Sequence, residues 1–332
     1  MKLSIVILCW NDLKVIGDCL ASIYSGTHEA EFETIVSDNG STDGSIDFIR
    51  KNFPQVRILE NGTNLRFAKG NNVAIRASQG EYVLILNPDT IIHEGTLDKI
   101  VKFADQHPKA GAFGCKVLNV DGSVQEYARP FPTIRSEWIA AFYLKPLAYL
   151  SEALHHGIYT GWKGDTERTV GWLAGCFILI RAHLLKQLGG FDEQFFYYYE
   201  DQDLCHRIWD AGYPIIYTPE MTITHLGGQS TIKRFPMAFA LDSQVTHYLY
   251  YYKHYGRRGA RHCRWFSLSS TFLRRLGYGL LQLVAPTEAR KNRLELLRRV
   301  YYWNLRVDPI RLVEKGEEPK LEETPGFRVL DR

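Results

Sequence analysis

The side chains best suited to chemistry follow two apolar segments that are predicted to form buried strands. The segment Tyr82–Leu86 leads directly into Asn87 and Asp89, and the segment Glu33–Ser37 leads into Asp38. A carboxylate at a strand end can hold Mg²⁺ or Mn²⁺, which typically shares one or two protein carboxylates with substrate phosphates. Asp38 could instead contact the edge of a base or ribose. Both sequences also suit ordinary turns and helix caps, so neither motif is decisive alone.

A second group of candidates lies between residues 200 and 225. Glu200, Asp201 and Asp203 place three carboxylates in four residues, at the start of a predicted helix and directly after an aromatic run. The helix dipole favours acids there, but three exceed what a cap requires. A carboxylate beside aromatic side chains is a reasonable general base for a sugar hydroxyl. His225 ends a predicted strand and is either structural or a metal ligand.

The elements that would position these residues alternate along the chain. From residue 1 to about 118, apolar runs and amphipathic segments give five predicted strands and four predicted helices. Continuous apolar strands separated by helices are typical of a parallel sheet covered on both faces. We therefore predict a doubly wound α/β domain, whose ligands bind beyond the carboxyl ends of the strands.

The regular alternation ends near residue 119. A second structured stretch, Val170–His225, is predicted to contain a strand at Cys176–Ile180, two helices and two further short strands. Beyond it, residues 235–312 are predicted to be mostly helical, with Pro286 starting a new helix, and the chain from Val313 is predicted to be a loose tail.

Composition excludes global disorder and fibrous architectures, since hydrophobic residues make up 45% of the chain and charged residues 23%. The net charge of +3 conceals an asymmetry, because residues 1–252 carry −6 and residues 253–311 carry +11. Such an asymmetry usually indicates an anionic partner, either a membrane surface or a nucleic acid.

The six cysteines have no CxxC or metal-finger spacing, which favours a reducing compartment. The first apolar run is followed by Asn11 and Asp12 without a small-residue cleavage site, which predicts a strand and not a signal peptide. The longest apolar stretch of the basic region, Leu276–Ala285, is far shorter than the roughly 20 residues that span a bilayer. We expect a cytoplasmic chain that does not cross a membrane by itself.

Seven segments, taken in order, span about two thirds of the chain from the first to the last: SIVILCWND, VSDNGSTDGS, NLRFAKGNN, GEYVLILNPDT, GWLAGCFILIR, LGGFDEQFFYYYEDQDL and HLGGQS. Together they resemble glycosyltransferase family 2, and within it the rhamnosyltransferase-like branch of bacterial polysaccharide synthesis. The resemblance implies a GT-A fold, a nucleotide-sugar donor, a divalent Mg²⁺ or Mn²⁺ ion, and inversion at the anomeric carbon by direct displacement.

The resemblance also assigns the donor side of the site, position by position. Trp10, Asp38 and Asn64 would line the nucleoside pocket, and Asn71 would lie where the chain approaches the diphosphate. Where the branch usually has a glycine, this chain has Arg66, which either reaches a phosphate or faces solvent.

The metal and acceptor sides follow from the same resemblance. Asp89 corresponds to the last acid of the family's DxD motif, and His225 to a histidine that completes the metal site in several members. The first acid of the motif is Asn87 here, so we expect a modest metal affinity and an ion that arrives with the nucleotide. Asp201 matches the catalytic base. In the same comparison, Glu200 would orient that base or the acceptor, and Trp172 would face the acceptor.

The predicted domain organisation combines these assignments. Residues 1–232 would form a GT-A domain with a nucleotide-binding half at 1–118 and an acceptor and catalytic half at 119–232. A basic, aromatic helical region would follow at 233–312, and a loose tail at 313–332. By resemblance the donor is dTDP-L-rhamnose, with a UDP-hexose or UDP-galactofuranose as the alternative, and the acceptor is a hydroxyl of a lipid-linked or polysaccharide glycan.

Residues 253–311 interleave arginines with aromatic side chains. Such helices can lie in a bilayer interface through apolar burial and attraction to anionic headgroups, which favours peripheral contact with the inner face of the bacterial plasma membrane. The alternative is an appendage that packs its aromatics on the catalytic domain and leaves its arginines solvated.

A nucleic-acid partner is not expected, since it leaves the NPDT and ED motifs and His225 unexplained. A sugar-nucleotide pyrophosphorylase would need a glycine-rich loop with Arg and Lys after the first strand, and none is present.

Overall fold

The computed structural model describes residues 1–141, 162–195, 198–227 and 236–316. Among the described residues the chain divides into two compact units. Residues 1–131, 162–195 and 200–227 belong to the first, and residues 132–141, 198–199 and 236–316 to the second.

The first unit is built on a mixed sheet of nine strands and a separate two-stranded sheet. In chain order the strands are β1 Leu3–Cys9, β2 Phe32–Asp38, β3 Arg57–Glu60, β4 Tyr82–Leu86, β5 Thr90–Ile92, β6 Ala112–Leu118, β7 Ala128–Arg129, β8 Arg168–Val170, β9 Trp172–Leu173, β10 Phe177–Arg181 and β11 Ile215–His225. The helices of this unit are α1 Ile16–Gly26, α2 Ser45–Asn52, α3 Arg66–Ala77, α4 Thr96–Gln106, α6 Ala182–Gln187 and α7 Glu200–Asp210. All nine elements predicted before residue 119 are present, with bounds that differ by no more than a few residues.

The sheet is α/β, as predicted, but it is not wholly parallel. Strands β3, β2, β1 and β4 lie side by side in parallel, and β10 then separates β4 from β6 and runs antiparallel to both. The four leading residues of β10 are buried apolar side chains, which suit a central strand. Apolar content predicts that such a strand is buried, but it does not encode the strand's direction.

A short strand that the sequence did not reveal positions part of the site. Strand β5 begins directly after Asp89 and pairs with β11, so that Thr90 lies opposite His225. The two segments predicted as separate strands at 215–217 and 222–224 are one strand, β11, whose pairing with β6 shifts register between Tyr217 and Thr222.

Helix α3 packs closely on the ends of β1 and β2. A side chain at Gly70 would clash, because its Cβ would come within 2.5 Å of Leu8 and 2.8 Å of the Asn39 side chain. The Ser37 hydroxyl donates to the Gly70 carbonyl at 2.8 Å. This close approach brings Asn71 to the carboxyl ends of both strands.

The second unit is helical in its described part. Its helices are α5 Ile134–Ala141, α8 Pro236–Val284, α9 Glu288–Arg306 and α10 Pro309–Lys315. Helix α8 is kinked at Gly256, which has a left-handed φ of 66°. The Thr287 hydroxyl caps α9 by accepting from the Arg290 amide, which places the helix start just after the predicted Pro286. The predicted tail from Val313 is helical as far as Lys315, and residues 317–332 lie outside the described residues.

Buried polar contacts join the helices of this unit. The Tyr248 hydroxyl, wholly buried, donates to the Asn304 side chain, and Arg264 donates to the Asn304 carbonyl at 2.9 Å and to Asp308 at 3.1 Å. Helix α9 is thereby fixed against α8. Among the described residues, none of the helices has the length and apolar character needed to traverse a bilayer.

Candidate functional site

The carboxyl ends of β1 and β2 form one side of the candidate site. Cys9 pairs with Asp38 at the ends of the two strands. Asp38 is buried, and its carboxylate accepts from the amides of Ser41 at 3.0 Å and Gly40 at 3.2 Å. This acid therefore stabilises the turn that follows its own strand. Its contact with a nucleoside stays a prediction.

Trp10 follows β1 at the same edge of the sheet. Its amide donates to the Asp12 carboxylate at 2.8 Å, and the next residue, Asn11, has a left-handed φ of 59°. The Asn11 amide donates to the Ser41 hydroxyl at 3.0 Å, so the loops after β1 and β2 are bonded to each other. These bonds place the half-buried Trp10 near the Asp38 turn, and its contact with a nucleoside stays a prediction.

A set of asparagines that sequence analysis mostly missed supports this side. The Asn64 side-chain oxygen accepts from the Arg66 amide at 2.8 Å and from the Asn39 amide group at 3.2 Å. Asn61 donates to the Asn39 side chain at 3.0 Å and to the Ser37 hydroxyl at 2.9 Å. Asn64 thus holds a loop in which Arg66 adopts a left-handed φ of 67°.

Asn71 carries a polar atom that the described residues leave unused. Its side-chain nitrogen donates to the Phe67 carbonyl at 3.0 Å, while its oxygen is buried and has no hydrogen-bond partner among the described residues. A buried polar atom without a partner calls for an explanation. Because this atom accepts hydrogen bonds, it suits a hydroxyl of the donor better than a phosphate.

The metal candidates lie close together at the end of β4. The His225 Nε2 atom is 3.2 Å from Asp89 Oδ1 and 3.4 Å from the Asn87 side-chain nitrogen. The Asp89 and His225 side chains are 11% and 16% exposed, so the pair is sheltered but open on one side. The pairing of β5 with β11 produces this arrangement by placing Thr90 opposite His225.

Gln125 is a functional candidate that the sequence did not reveal. Its side-chain oxygen lies 2.9 Å from His225 Nδ1. An amide oxygen can only accept, so His225 Nδ1 is the donor in this contact, and Nε2 faces Asp89 Oδ1 at 3.2 Å. His225 Nε2 and Asp89 Oδ1 are atoms of the kinds that bind metal cations, and at 3.2 Å from each other they would be able to bind the same ion. Asp89 and His225 would together hold a divalent ion such as Mg²⁺ or Mn²⁺.

Asp201 and Glu200 begin helix α7. The Asp201 carboxylate accepts from the Gly175 amide at 3.0 Å and from the Gln202 amide at 2.8 Å. Burial raises the pKa of Asp201 to about 6, against the opposing effects of these amides and of Arg129. Burial and the neighbouring Asp201 charge raise the pKa of Glu200 to about 8. The pair therefore titrates near neutral pH, with a carboxylate and a carboxylic acid side by side.

The third acid of this cluster is structural. Asp203 is wholly buried, and Arg207 Nε donates to its carboxylate at 2.7 Å. The same guanidinium donates to the carbonyls of Leu188 and Gly190, both at 2.9 Å. Asp203 thus anchors α7 to the preceding loop, and this leaves Glu200 and Asp201 as the candidates for chemistry.

Gly175 and Cys176 join the metal candidates to the base candidates. The Asn87 amide donates to the Cys176 carbonyl at 3.1 Å, while the Gly175 amide donates to Asp201. Burial raises the pKa of the Cys176 thiol, and the charges of both Asp89 and Asp201 raise it further. The two residues Gly175 and Cys176 therefore link the segment after β4, which contains Asp89, to the carboxylate of Asp201.

Trp172 lies on β9, opposite Arg129 of β7. Its indole nitrogen donates to the Pro130 carbonyl at 3.0 Å, and the Arg129 guanidinium lies 5.9 Å from the ring centroid. The ring is half-buried, and its contact with an acceptor stays a prediction. Arg129, whose charge lowers the pKa of Asp201, carried no sequence signal because β7 is only two residues long.

Comparisons with known proteins agree with this architecture. Residues 4–163 match the family model described as glycosyl transferase family 2. An N-acetylglucosaminyl-diphospho-decaprenol L-rhamnosyltransferase of Mycobacterium tuberculosis is 33% identical over 238 residues, which cover 64% of this chain and 72% of that protein. The rhamnosyltransferase WbbL of Escherichia coli is 29% identical over 181 residues, or 52% of this chain and 65% of WbbL.

Two solved structures share the fold. Staphylococcus aureus TarS 1–349 superposes with a TM-score of 0.52 at 18% identity, covering 95% of this chain and 91% of that one. The mannosyltransferase PcManGT from Pyrobaculum calidifontis, in complex with GDP-Man and Mn²⁺, superposes with a TM-score of 0.53 at 18% identity, covering 92% and 87%. From its sequence and its architecture, this chain belongs to glycosyltransferase family 2: it is a glycosyltransferase with a GT-A fold and a C-terminal helical region.

Proposed function

We propose that the chain transfers L-rhamnose from dTDP-L-rhamnose to a hydroxyl of a lipid-linked glycan in cell-surface polysaccharide synthesis, with inversion at the anomeric carbon. The reaction type rests on one observation, the placement of Asp201 and Asp89 on either side of Gly175 and Cys176. The choice of sugar and acceptor rests on the Mycobacterium tuberculosis relative, whose name specifies a rhamnosyl transfer to a decaprenol-linked sugar.

Asp201 is the proposed base. Its carboxylate takes the proton of the acceptor hydroxyl as the hydroxyl oxygen attacks the anomeric carbon and the nucleoside diphosphate departs. One displacement inverts the configuration, and no bond forms between the sugar and the protein. The amides of Gly175 and Gln202 hold the carboxylate in place. Glu200, whose pKa is raised to about 8, stays protonated at neutral pH and adds no second negative charge beside the base. Trp172 is proposed to face the acceptor.

Asp89 and His225 are proposed to hold the divalent ion, Mg²⁺ or Mn²⁺, and Gln125 to fix the histidine that binds it. When bound, such an ion offsets the charge that develops on the departing diphosphate. The complex of PcManGT with Mn²⁺ is consistent with an ion in this fold. Asn87 lies beside His225 Nε2 and supplies no carboxylate, so the pair Asp89 and His225 carries the site.

On the donor side, Trp10, Asp38 and Asn64 are proposed to surround the nucleoside, and the free side-chain oxygen of Asn71 to accept from a donor hydroxyl. A UDP-hexose or UDP-galactofuranose is the alternative donor. TarS, which shares the fold, is known in complex with UDP-GlcNAc, and this complex supports the alternative.

The proposed partners follow from the lipid-linked acceptor. We place the enzyme in the cytoplasm, peripherally on the inner face of the bacterial plasma membrane, with an anionic membrane surface as partner and without a nucleic-acid partner. The basic segment at residues 253–311, with its net charge of +11, supports this placement.

The pH dependence of transfer tests the assignment of the carboxyl pair. A base acts only when ionised, so the rate should be low in acid and rise with a midpoint near the raised pKa of Asp201, about 6. Glu200→Gln keeps a neutral side chain there, so the acid midpoint should stay near its wild-type value. Any change that wild type shows near pH 8, where Glu200 ionises, should disappear in the variant. An acid midpoint at the ordinary carboxyl value of 3.8 would contradict a raised pKa for the base.

Thermal stabilisation by a nucleotide-sugar panel tests the donor. A ligand that binds only the folded state adds RT ln(1 + [L]/Kd) to the free energy of unfolding, about 2.7 kcal/mol at one hundred times Kd. dTDP-L-rhamnose with Mn²⁺ or Mg²⁺ should raise the unfolding temperature most, and more than the same sugar with a chelator. A larger increase with UDP-galactofuranose or a UDP-hexose would replace the proposed donor by that one.

A further inference from the structure

The last part of helix α8 exposes a stripe of aliphatic side chains. Leu273 is 49% exposed and Leu276 52%, and the exposed fraction rises to 65% at Leu280, 83% at Leu283 and 85% at Val284. Steps of three, four and three residues place the four leucines on one face of the helix, and Val284 shares that face because it lies four residues after Leu280. Exposure increases towards the end of the helix, so the stripe is most accessible at the tip of the α8–α9 hairpin.

Basic side chains surround this tip. Residues 274–293 contain five basic residues and one acidic residue, Glu288. Lys291 and Arg293 are exposed in the first turns of α9, and Arg290 is half-buried. Arg275, further back on α8, lies over the ring of Tyr301 at 5.0 Å, and Lys291 lies 3.6 Å from the exposed Glu288. An apolar end is therefore bordered by positive charge.

This combination matches the chemistry of an anionic lipid surface. Contiguous apolar patches are rarely exposed on soluble monomers, and they commonly mark interaction sites. A second protein copy would cover the leucines, but like charges on the two tips would oppose such a contact. An anionic bilayer satisfies both features, since it buries leucines at the level of the acyl chains and attracts basic residues at the phosphates. Within the described residues, no helix is long and apolar enough to span a bilayer.

We propose that the hairpin tip, residues 273–293, is a membrane anchor that inserts Leu280, Leu283 and Val284 into an anionic bilayer while Lys291 and Arg293 contact lipid phosphates. The inference deepens the proposed function, on which it rests for the lipid-linked acceptor. It assigns the membrane affinity of the basic region to one segment, the hairpin tip, which enters the bilayer.

Vesicle sedimentation of the full chain tests the anchor. The vesicles contain phosphatidylcholine alone or phosphatidylcholine with phosphatidylglycerol, at low and high salt. Wild type should bind the anionic vesicles and lose affinity in salt. The double substitution L280D/L283D should weaken binding about a hundredfold, because each leucine loses its burial in the acyl region. K291Q/R293Q should weaken it about thirtyfold on anionic vesicles, at roughly 1 kcal/mol per basic residue.

Val120→Asp is the matched control, since Val120 is an aliphatic side chain of the first unit that is 71% exposed. This variant should bind vesicles as wild type does. All the substituted side chains are exposed, so the unfolding temperatures of the variants should equal that of wild type. Sedimentation of L280D/L283D at the wild-type level would overturn the proposal. So would a wild type that binds neither vesicle but forms a dimer, measured by light scattering, that L280D/L283D abolishes.

The readout also separates this proposal from the proposed function. Nucleoside diphosphate release is measured on separate, vesicle-free aliquots of the same protein preparations with a detergent-dispersed acceptor. Normal vesicle binding without use of any nucleotide sugar would contradict the proposed function alone. Transfer to the dispersed acceptor together with vesicle binding that does not depend on Leu280 and Leu283 would contradict the anchor alone.

Discussion

Asp201→Asn is expected to lower the rate of sugar transfer about 10²- to 10⁴-fold while changing donor affinity by no more than about twofold, because only proton removal is lost. Asparagine has the same size, and its side-chain oxygen can still accept from the Gly175 amide, which lies 3.0 Å from the Asp201 carboxylate. It cannot take the proton of the acceptor hydroxyl. The measurements are initial rates of transfer and donor binding by calorimetry on the same preparation.

Asp210→Asn provides the control for this substitution. Asp210 lies on the same helix, α7, but is exposed at its last residue, so its loss should leave the transfer rate unchanged. Full activity in Asp201→Asn would refute the assignment of the base. Loss of donor binding together with transfer would show instead that Asp201 supports the architecture of the site.

Asp89→Ala should weaken donor binding in the presence of Mn²⁺ at least about a hundredfold, because even outer-shell partners of metal ligands typically contribute 10- to 100-fold. The substitution removes the carboxylate that lies 3.2 Å from His225 Nε2 and leaves the histidine with no anionic partner for the ion there. Calorimetric titration of dTDP with and without Mn²⁺ measures the effect. The affinity for dTDP without Mn²⁺ should change little, because the substitution removes only the part of the binding free energy that the ion supplies.

Two further substitutions calibrate this result. Gln125→Leu removes the acceptor that fixes His225 through Nδ1, and it should weaken Mn²⁺-dependent binding less than Asp89→Ala does. Asp47→Ala removes an exposed acid of α2 and should have no effect. If Asp89→Ala binds dTDP and Mn²⁺ as wild type does, the metal lies elsewhere.

Local patterns predicted the elements of the first unit well. Tyr82–Leu86 and Ala112–Leu118 are strands with the predicted bounds, since each is a continuous apolar run between polar turns. The same signal could not show that β10 lies between them in the opposite direction, because strand order depends on pairing between residues such as Phe177 and Leu86, or Leu179 and Phe113, that are far apart in the sequence. Strand β5 has only three residues, too few for a periodic pattern.

The candidate site shows the same division. Asp89, Asp201 and His225 could be singled out because carboxylates and imidazole at strand and helix ends carry recognisable chemistry. Gln125 and Arg129 could not, since they act through partners 100 and 72 residues away that only the folded chain brings near. Asp203 was grouped with the chemical acids, and only its buried contact with Arg207 reveals a structural role.

The most direct test of the account compares donor binding and transfer in wild type, Asp201→Asn and Asp89→Ala, using dTDP-L-rhamnose, Mn²⁺ and a lipid-linked acceptor. The account predicts two separate defects: Asp201→Asn binds the donor but does not transfer, and Asp89→Ala loses the binding that depends on Mn²⁺. Equal loss of binding and transfer in both variants, or transfer that persists in both, would contradict it.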